Sequence, residues 1–386
     1  MKNLTTQLLP LAAALFAVGT DGFIIAGLLP QIADDLDVGV PAAGQLVTAF
    51  ALAFAVSAPV LGAMTSAMSR RSALLLGLAI FVVGNAATAL GPSYPAVMLA
   101  RIVTAGGAGL IGAAAFSAAA AIAPPERRGR ALAFVMGGLT LAIAFGLPAG
   151  TLIGGADWRL TLWAVAGLGV VAMAGAAAVL PEISLPVDSL RARLAPLREP
   201  WVFGMLAVTV MTLAGTHVLY TYISPAVGQA TGGSTTRLTV VLLAWGVGNM
   251  AGNALAGRLS DRHPPERVVT AGLAAAAVLL ALSPLTVKAM PVAVAWAVLW
   301  GVCVSLPVVP QQSRLVARAP SASALLLGLN NSAIYVGVAL GGGLGGLLQD
   351  RLTPGRLGLA AAAVSLAGLA ANLATTSRSK RLTSVS

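Results

Sequence analysis

The sequence predicts an all-α membrane protein of twelve transmembrane helices arranged as two six-helix bundles. Three observations predict it. Lys+Arg 23 and Asp+Glu 12 make the 386-residue chain only 9% charged, against roughly 25% in an ordinary soluble domain. Hydrophobic residues make up 58% of it and the mean hydropathy is +0.91. Finally, apolar runs of about 20 residues, the length that crosses a bilayer core of about 30 Å, recur along the chain. A soluble protein of this size needs a polar skin, and this composition cannot make one. A cytosolic enzyme, a secreted domain and a disordered chain are excluded together.

The runs give twelve expected spans, at 8–30, 44–66, 73–91, 95–122, 131–155, 160–180, 201–225, 238–257, 268–287, 289–311, 324–349 and 355–376. Span 1 has Lys2 ahead of an apolar run, as a signal peptide does. Its length, Asp21 and the lack of a clean cleavage site make it an uncleaved span. Spans 9 and 10, separated around Lys288, read as a tight hairpin. The segment Pro181–Pro200 is the only sizeable polar stretch. It divides an N-terminal bundle (1–180) from a C-terminal bundle (201–386) with a short basic tail, the linker itself being a central loop at 181–200.

Charge placement orients the spans. Alternate loops carry 17 Lys and Arg on one side and five on the other, which puts both termini and the central loop in the cytoplasm of a bacterial inner membrane. The net charge of +11 lies in twos and threes between apolar runs rather than in a basic stripe, so no nucleic-acid partner is expected. Cys303 is a single thiol, His217 and His263 are isolated, and no GxxxxGK[ST] or GxSxG motif occurs. No metal or cofactor is therefore expected, and a primary pump is excluded for want of a nucleotide-binding loop.

An offset of 195 residues exposes an internal repeat. It carries Gly62, before Arg70-Arg71, onto Gly257, before Asp261-Arg262, and Leu8 onto Phe203. The glycines Gly146, Gly150, Gly154 and Gly155 of span 5 are expected to fall in register with the Gly341–Gly346 run of span 11. Two homologous bundles around a central cavity is a plan of secondary transporters, with substrate bound near the midplane.

On Gly19-Thr20-Asp21-Gly22-Phe23, Arg101 with Gly106, Gly107 and Gly109, Gly146-Leu147-Pro148-Ala149-Gly150, Leu219-Tyr220-Thr221-Tyr222-Ile223-Ser224-Pro225 and Gly257-Arg258-Leu259-Ser260-Asp261-Arg262, the chain resembles a twelve-span major facilitator superfamily protein of the drug:proton antiporter class, similar to chloramphenicol-efflux and arabinose-efflux-permease-like exporters. The first of these segments continues through Pro30 in span 1, and Arg101 stands ahead of its glycines in span 4. Gly146-Leu147-Pro148-Ala149-Gly150 with Gly154-Gly155 is similar to the antiporter motif of span 5, and Leu219-Tyr220-Thr221-Tyr222-Ile223-Ser224-Pro225 belongs to span 7. The cytoplasmic gating motif stands at Gly257-Arg258-Leu259-Ser260-Asp261-Arg262. In the first half, at Gly62, Arg70 and Arg71, it is degraded, with Ser66 where the family has Asp. The resemblance implies a pseudo-two-fold arrangement of the bundles. It also implies a proton-coupled antiporter that exports a small molecule by alternating access.

The residues themselves point to chemistry. Asp21 lies nine residues before Pro30, roughly 13 Å from the expected outer end of span 1. A charge inside the membrane costs about 2.5–3.5 kcal/mol on the insertion scale, so ionisable residues there are functional candidates. Arg101 lies about 10 Å past Tyr94 in span 4, at a similar depth. If spans 1 and 4 are neighbours the two face each other, and Arg101 holds Asp21 charged in one state and frees it to take a proton in another. The alternative is a permanent salt bridge.

For substrate, span 7 offers His217, Tyr220 and Tyr222 beside Thr216, the repeat-equivalent of Asp21. Span 11 offers Asn330, Asn331 and Tyr335, and span 8 offers Asn249 and Asn253 on one face. Amides in membranes also simply hold helices together. The spans hold too few catalytic groups for an enzyme, whereas a transporter needs only the repeat and a protonatable switch. With one acid and one arginine inside the membrane, the expected substrate is neutral or weakly charged and amphipathic: a phenicol-like drug, a sugar or a nucleoside. The expected partners are that molecule, protons and the bilayer, and the chain is expected to act as a monomer. A proton-independent facilitator or an importing symporter is the alternative.

Overall fold

The computed structural model describes residues 4–184, 190–349 and 351–383. Every regular element among them is helical, and the chain divides into two units, Met1–Arg193 and Leu194–Ser386. Lys2 lies outside the described residues.

In the first unit the spans are Leu4–Asp35, Val40–Met64, Arg70–Leu90, Tyr94–Ile122, Arg128–Gly154 and Trp158–Val179. Span 1 does not end near Pro30. Pro30 lies inside a continuous helix that runs to Asp35, so Asp21 stands 14 residues, about 21 Å, from the helix end rather than 13 Å. Span 5 is interrupted by a π-helical turn at Ala142–Gly146, where the Leu147 N–H reaches back to the Ala142 carbonyl. Pro148 follows at once, and a residue without an N–H beside a widened turn is a recognised source of a bend.

In the second unit, spans 8, 11 and 12 are Thr235–Ser260, Ser323–Leu348 and Leu357–Thr383, whereas spans 7, 9 and 10 are broken. Span 7 runs Pro200–Tyr220 and is followed by the short helices Ile223–Ala226 and Gly228–Thr231. Span 9 is a 17-residue helix, Pro265–Ala281, followed by Ser283–Thr286. Span 10 consists of Met290–Ser305 and Val308–Arg318. Each break precedes a proline, at Pro225, Pro284 and Pro307, which removes a backbone donor and crowds the carbonyl four residues earlier. Counting span 10 across its break, as Met290–Arg318, eleven helical segments among the described residues are long and apolar enough to cross a membrane, and span 9 is the shortened twelfth. Expected spans 7, 9 and 10 are corrected accordingly from single helices to broken ones.

The repeat offset is visible in the helix ends. Spans 2, 3 and 5 begin at Val40, Arg70 and Arg128, and their counterparts at Thr235, Pro265 and Ser323. Close packing within each unit follows from small residues. On span 5, Gly138, Gly146, Gly150 and Gly154 lie against Ala12, Thr20, Ile24 and Leu28 of span 1 along one face. On span 11, Gly337, Gly341 and Gly345 lie in the same way against Val210, Ala214 and Val218 of span 7. Such four-residue spacing of small residues lets helix backbones approach closely. Gly146 and Gly150 map onto Gly341 and Gly345 by the 195 offset. Gly154 and Gly155 fall on Gln349 and Asp350 instead, so that part of the expected register does not hold.

Candidate transport site

Span 1 and span 4 pack together and bring Asp21 and Arg101 into contact. Arg101 Nη1 donates to Asp21 Oδ1 at 2.6 Å, Nη2 donates to the Asp21 carbonyl at 3.3 Å, and neither side chain is solvent-exposed. The guanidinium lies over the Phe50 ring of span 2, 4.3 Å from its centroid. The satisfaction is incomplete. Asp21 Oδ2 and Arg101 Nε are both sealed from solvent without a hydrogen-bond partner among the described residues. A buried pair is worth holding for stability only when its remaining polar atoms are satisfied. This one leaves a carboxylate oxygen open.

The corresponding place in the second unit is aromatic. The 195 offset carries Asp21 to Thr216, Phe50 to Trp245 and Arg101 to Trp296. There the Tyr220 ring lies 4.5 Å from Trp245 and 6.3 Å from Trp300, Trp245 and Trp300 are 5.7 Å apart, and Trp296 stacks on Trp300 at 4.9 Å. His217 joins the edge of Tyr220 at 5.3 Å, its Nδ1 against the Leu213 carbonyl at 2.9 Å. The sequence reading passed over all three tryptophans. Applying the offset to the neighbours of the charged pair, rather than to Asp21 alone, would have found two of them.

Two of the other expected substrate residues, Tyr222 and Asn330, tie helices together. Tyr222 is fully buried and donates to the Gly342 carbonyl at 3.0 Å, tying span 7 to span 11. Asn330 accepts from the Thr209 hydroxyl at 2.8 Å, between the same two helices. Asn253 donates to Asn249 at 3.4 Å along one face of span 8. Asn331 and Tyr335 are half-buried on span 11.

At the degraded motif of the first unit, Arg70 is buried and its Nη2 donates to the carbonyls of Ser66 at 2.7 Å, Met68 at 2.9 Å and Thr65 at 3.3 Å. Arg71 donates to the Ala177 carbonyl at 2.6 Å. Ser66, where the motif has Asp, donates to the Ala63 carbonyl at 2.6 Å. Gly62 is buried, whereas a side chain at Gly257 would meet nothing within 4 Å, and Asp261 and Arg262 are exposed. Gly155 is exposed as well.

A polar network that sequence reasoning did not find holds the end of span 10. Gln311 Nε2 donates to the Met205 carbonyl of span 7 at 2.6 Å, and Arg314 Nη1 donates to Gln311 Oε1 at 2.9 Å and to Asn372 Oδ1 of span 12 at 2.6 Å. Asn372 in turn donates to Thr270 Oγ1 of span 9 at 2.9 Å. By sequence position Arg314 counts only as a topology charge.

Apolar helices of membrane-crossing length in two repeated halves are the build of a multi-span membrane transporter. The chain belongs to the Major Facilitator Superfamily, whose family model matches residues 11–342 and again 205–384. It is 36% identical over 348 residues to the inner membrane transport protein YdhP of Escherichia coli K12, covering 88% of this chain and 87% of that one. It is 37% identical over 269 residues to a chloramphenicol resistance protein of Streptomyces lividans, covering 68% of each. It is also 30% identical over 263 residues to the putative transporter AraJ of Escherichia coli K12, covering 68% and 67%. The fold is similar to that of the xylose transporter XylE from E. coli in a partially occluded inward-open conformation. The TM-score is 0.76 over 96% of this chain and 97% of that one, at 15% identity.

Proposed function

We propose that this transporter is a proton-coupled antiporter that exports a small, neutral or weakly charged amphipathic molecule by alternating access. We place it in a bacterial inner membrane with both termini cytoplasmic. The observation that carries the reading is the Asp21–Arg101 pair, sealed from solvent yet leaving Asp21 Oδ2 without a partner. A proton on Asp21 weakens its hold on Arg101 and leaves the arginine to find other acceptors. Two protonation states therefore favour two arrangements of spans 1 and 4, which is what coupling needs. Proton re-entry supplies about 2.3 kcal/mol per charge for each 100 mV of membrane potential.

The substrate side is drawn from His217, Tyr220, Asn249, Asn331 and Tyr335, and Tyr222 and Asn330 shape it from the packing behind. The likeness to a chloramphenicol resistance protein and the scarcity of membrane charge support an uncharged, partly apolar cargo such as a phenicol. The domain division at residues 181–200 and the action of a single chain belong to the same reading. A drug and metabolite resistance panel in an efflux-deficient host tests it. The chain is expected to confer resistance to uncharged amphipathic drugs, and Asp21→Asn at equal membrane abundance is expected to abolish it. Resistance unchanged by the substitution would reject the proton role.

A further inference from the structure

The second unit contains a feature that packing alone does not explain. Among the described residues, the indole Nε1 atoms of Trp245 and Trp300 are sealed from solvent and have no hydrogen-bond partner, although the two rings are adjacent in one cluster. Trp245 is 3% exposed and Trp300 not at all. Trp296 is the internal contrast, since its Nε1 donates to the Leu279 carbonyl at 2.8 Å. Buried indole N–H groups normally find an acceptor, and a sealed donor without one favours whatever brings an acceptor.

We propose that Tyr220, Trp245 and Trp300 form the recognition site for an uncharged ligand that carries an aromatic ring and a neutral hydrogen-bond acceptor. Three facts point there. The rings offer π surfaces at 4.5–6.3 Å centroid separations, the spacing that offset-stacked and edge-on aromatic pairs use. The two unmatched donors are both neutral, so they suit a nitro, carbonyl or hydroxyl oxygen rather than a carboxylate. And the repeat that gives the first half Asp21, Phe50 and Arg101 gives the second Thr216, Trp245 and Trp296, so the halves divide the labour: charge in one, ring recognition in the other. The inference rests on the transporter reading above and names its substrate class.

The test is equilibrium binding of radiolabelled chloramphenicol, a neutral nitroaromatic, to the purified full-length protein, with Trp245→Phe, Trp300→Phe and the double variant. Phenylalanine keeps a ring and removes only the N–H and some surface. Each single change is expected to weaken binding about 5- to 10-fold and the pair at least about 25-fold, the size of one lost hydrogen bond per step. A wild-type measurement needs no variant to fold: chloramphenicol is expected to quench tryptophan emission, because a nitroaromatic ring accepts an electron from an excited indole on contact. No quenching of the wild-type protein up to millimolar concentration, or a Kd unchanged within twofold in the double variant, overturns the site. Lost tryptophan dependence with retained Asp21 dependence of efflux sinks this inference alone. The reverse pattern sinks the proton reading and spares the site.

Discussion

Arg101 and Asp21, 80 residues apart in sequence, meet at 2.6 Å with neither side chain exposed, and the guanidinium carbon stands over the Phe50 ring, 4.3 Å from its centroid. The two partners are not equivalent when alone. A carboxylate left without its arginine neutralises by taking a proton, whereas a guanidinium has no such escape.

That asymmetry orders the stabilities of the pair's variants. Asp21→Asn, which strands the buried cation, is expected to cost about 3–5 kcal/mol, and Arg101→Met is expected to cost less. The double variant Asp21→Asn/Arg101→Met is expected to recover much of the loss. Thermal unfolding of the four purified proteins closes the cycle, and equal costs for the two single variants would contradict the asymmetry.

The small-residue faces give a second prediction. A methyl group at Gly341 would stand 2.5 Å from the Ala214 carbonyl and 2.8 Å from His217 Cβ, whereas one at Gly257 meets nothing within 4 Å. Gly341→Ala is therefore expected to destabilise by about 1–3 kcal/mol. Gly257→Ala is expected to be neutral or to stabilise by up to about 1 kcal/mol through helix propensity. Unfolding temperatures of the two variants decide it. Loss of transport by Gly257→Ala without loss of stability would mean that another conformation closes on that glycine.

Ser66 gives a third. Its carbonyl already accepts from Arg70 at 2.7 Å, so a carboxylate on the same residue falls within reach of the guanidinium. Ser66→Asp is expected to stabilise the first unit by about 1 kcal/mol, roughly 2–4 °C in Tm. Arg70→Gln in the Ser66→Asp background is expected to remove the gain, and a Tm unchanged by Ser66→Asp would show that the two groups do not interact.

The network around Arg314 gives a fourth. Asn372→Leu removes the acceptor at 2.6 Å from Arg314 and the donor to Thr270. A loss of about 1–3 kcal/mol is expected, since the charged partner is half-buried rather than sealed. Thr270→Val in the Asn372→Leu background is expected to cost less than in the wild type, because the bond to Asn372 is already gone and only the hydroxyl's bond to the Glu266 carbonyl of its own helix, at 2.7 Å, remains to be lost. Additive losses in the double variant would place the two residues in separate interactions.

Much of this architecture is legible in the sequence because the bilayer imposes length and apolarity on every span. Asp21 and Arg101 stand out as lone charges in such runs. The breaks of spans 7, 9 and 10 were less legible. Pro225, Pro284 and Pro307 stand at or just after breaks, whereas Pro10, Pro30 and Pro59 lie inside unbroken helices, and the difference depends on what neighbouring helices offer the freed carbonyls. Gly272, for example, makes room for the Pro307 ring, 2.8 Å from where its own side chain would begin. Arg314 was hidden because a charge near a helix end reads as topology. Only the fold shows that Asn372, 58 residues away, accepts its hydrogen bond. The tryptophans were hidden because an aromatic residue in an apolar run looks like lipid-facing or core surface until its neighbours are known.

The central claim is that Asp21 carries the coupling proton. The most direct measurement is transport of the cargo identified by the resistance panel into proteoliposomes, driven by an imposed pH gradient, comparing the wild-type protein with Asp21→Asn. The wild-type rate is expected to rise with the gradient. The variant is expected to ignore the gradient yet still exchange labelled for unlabelled cargo at equilibrium. Gradient-driven accumulation by Asp21→Asn at the wild-type rate would contradict the account.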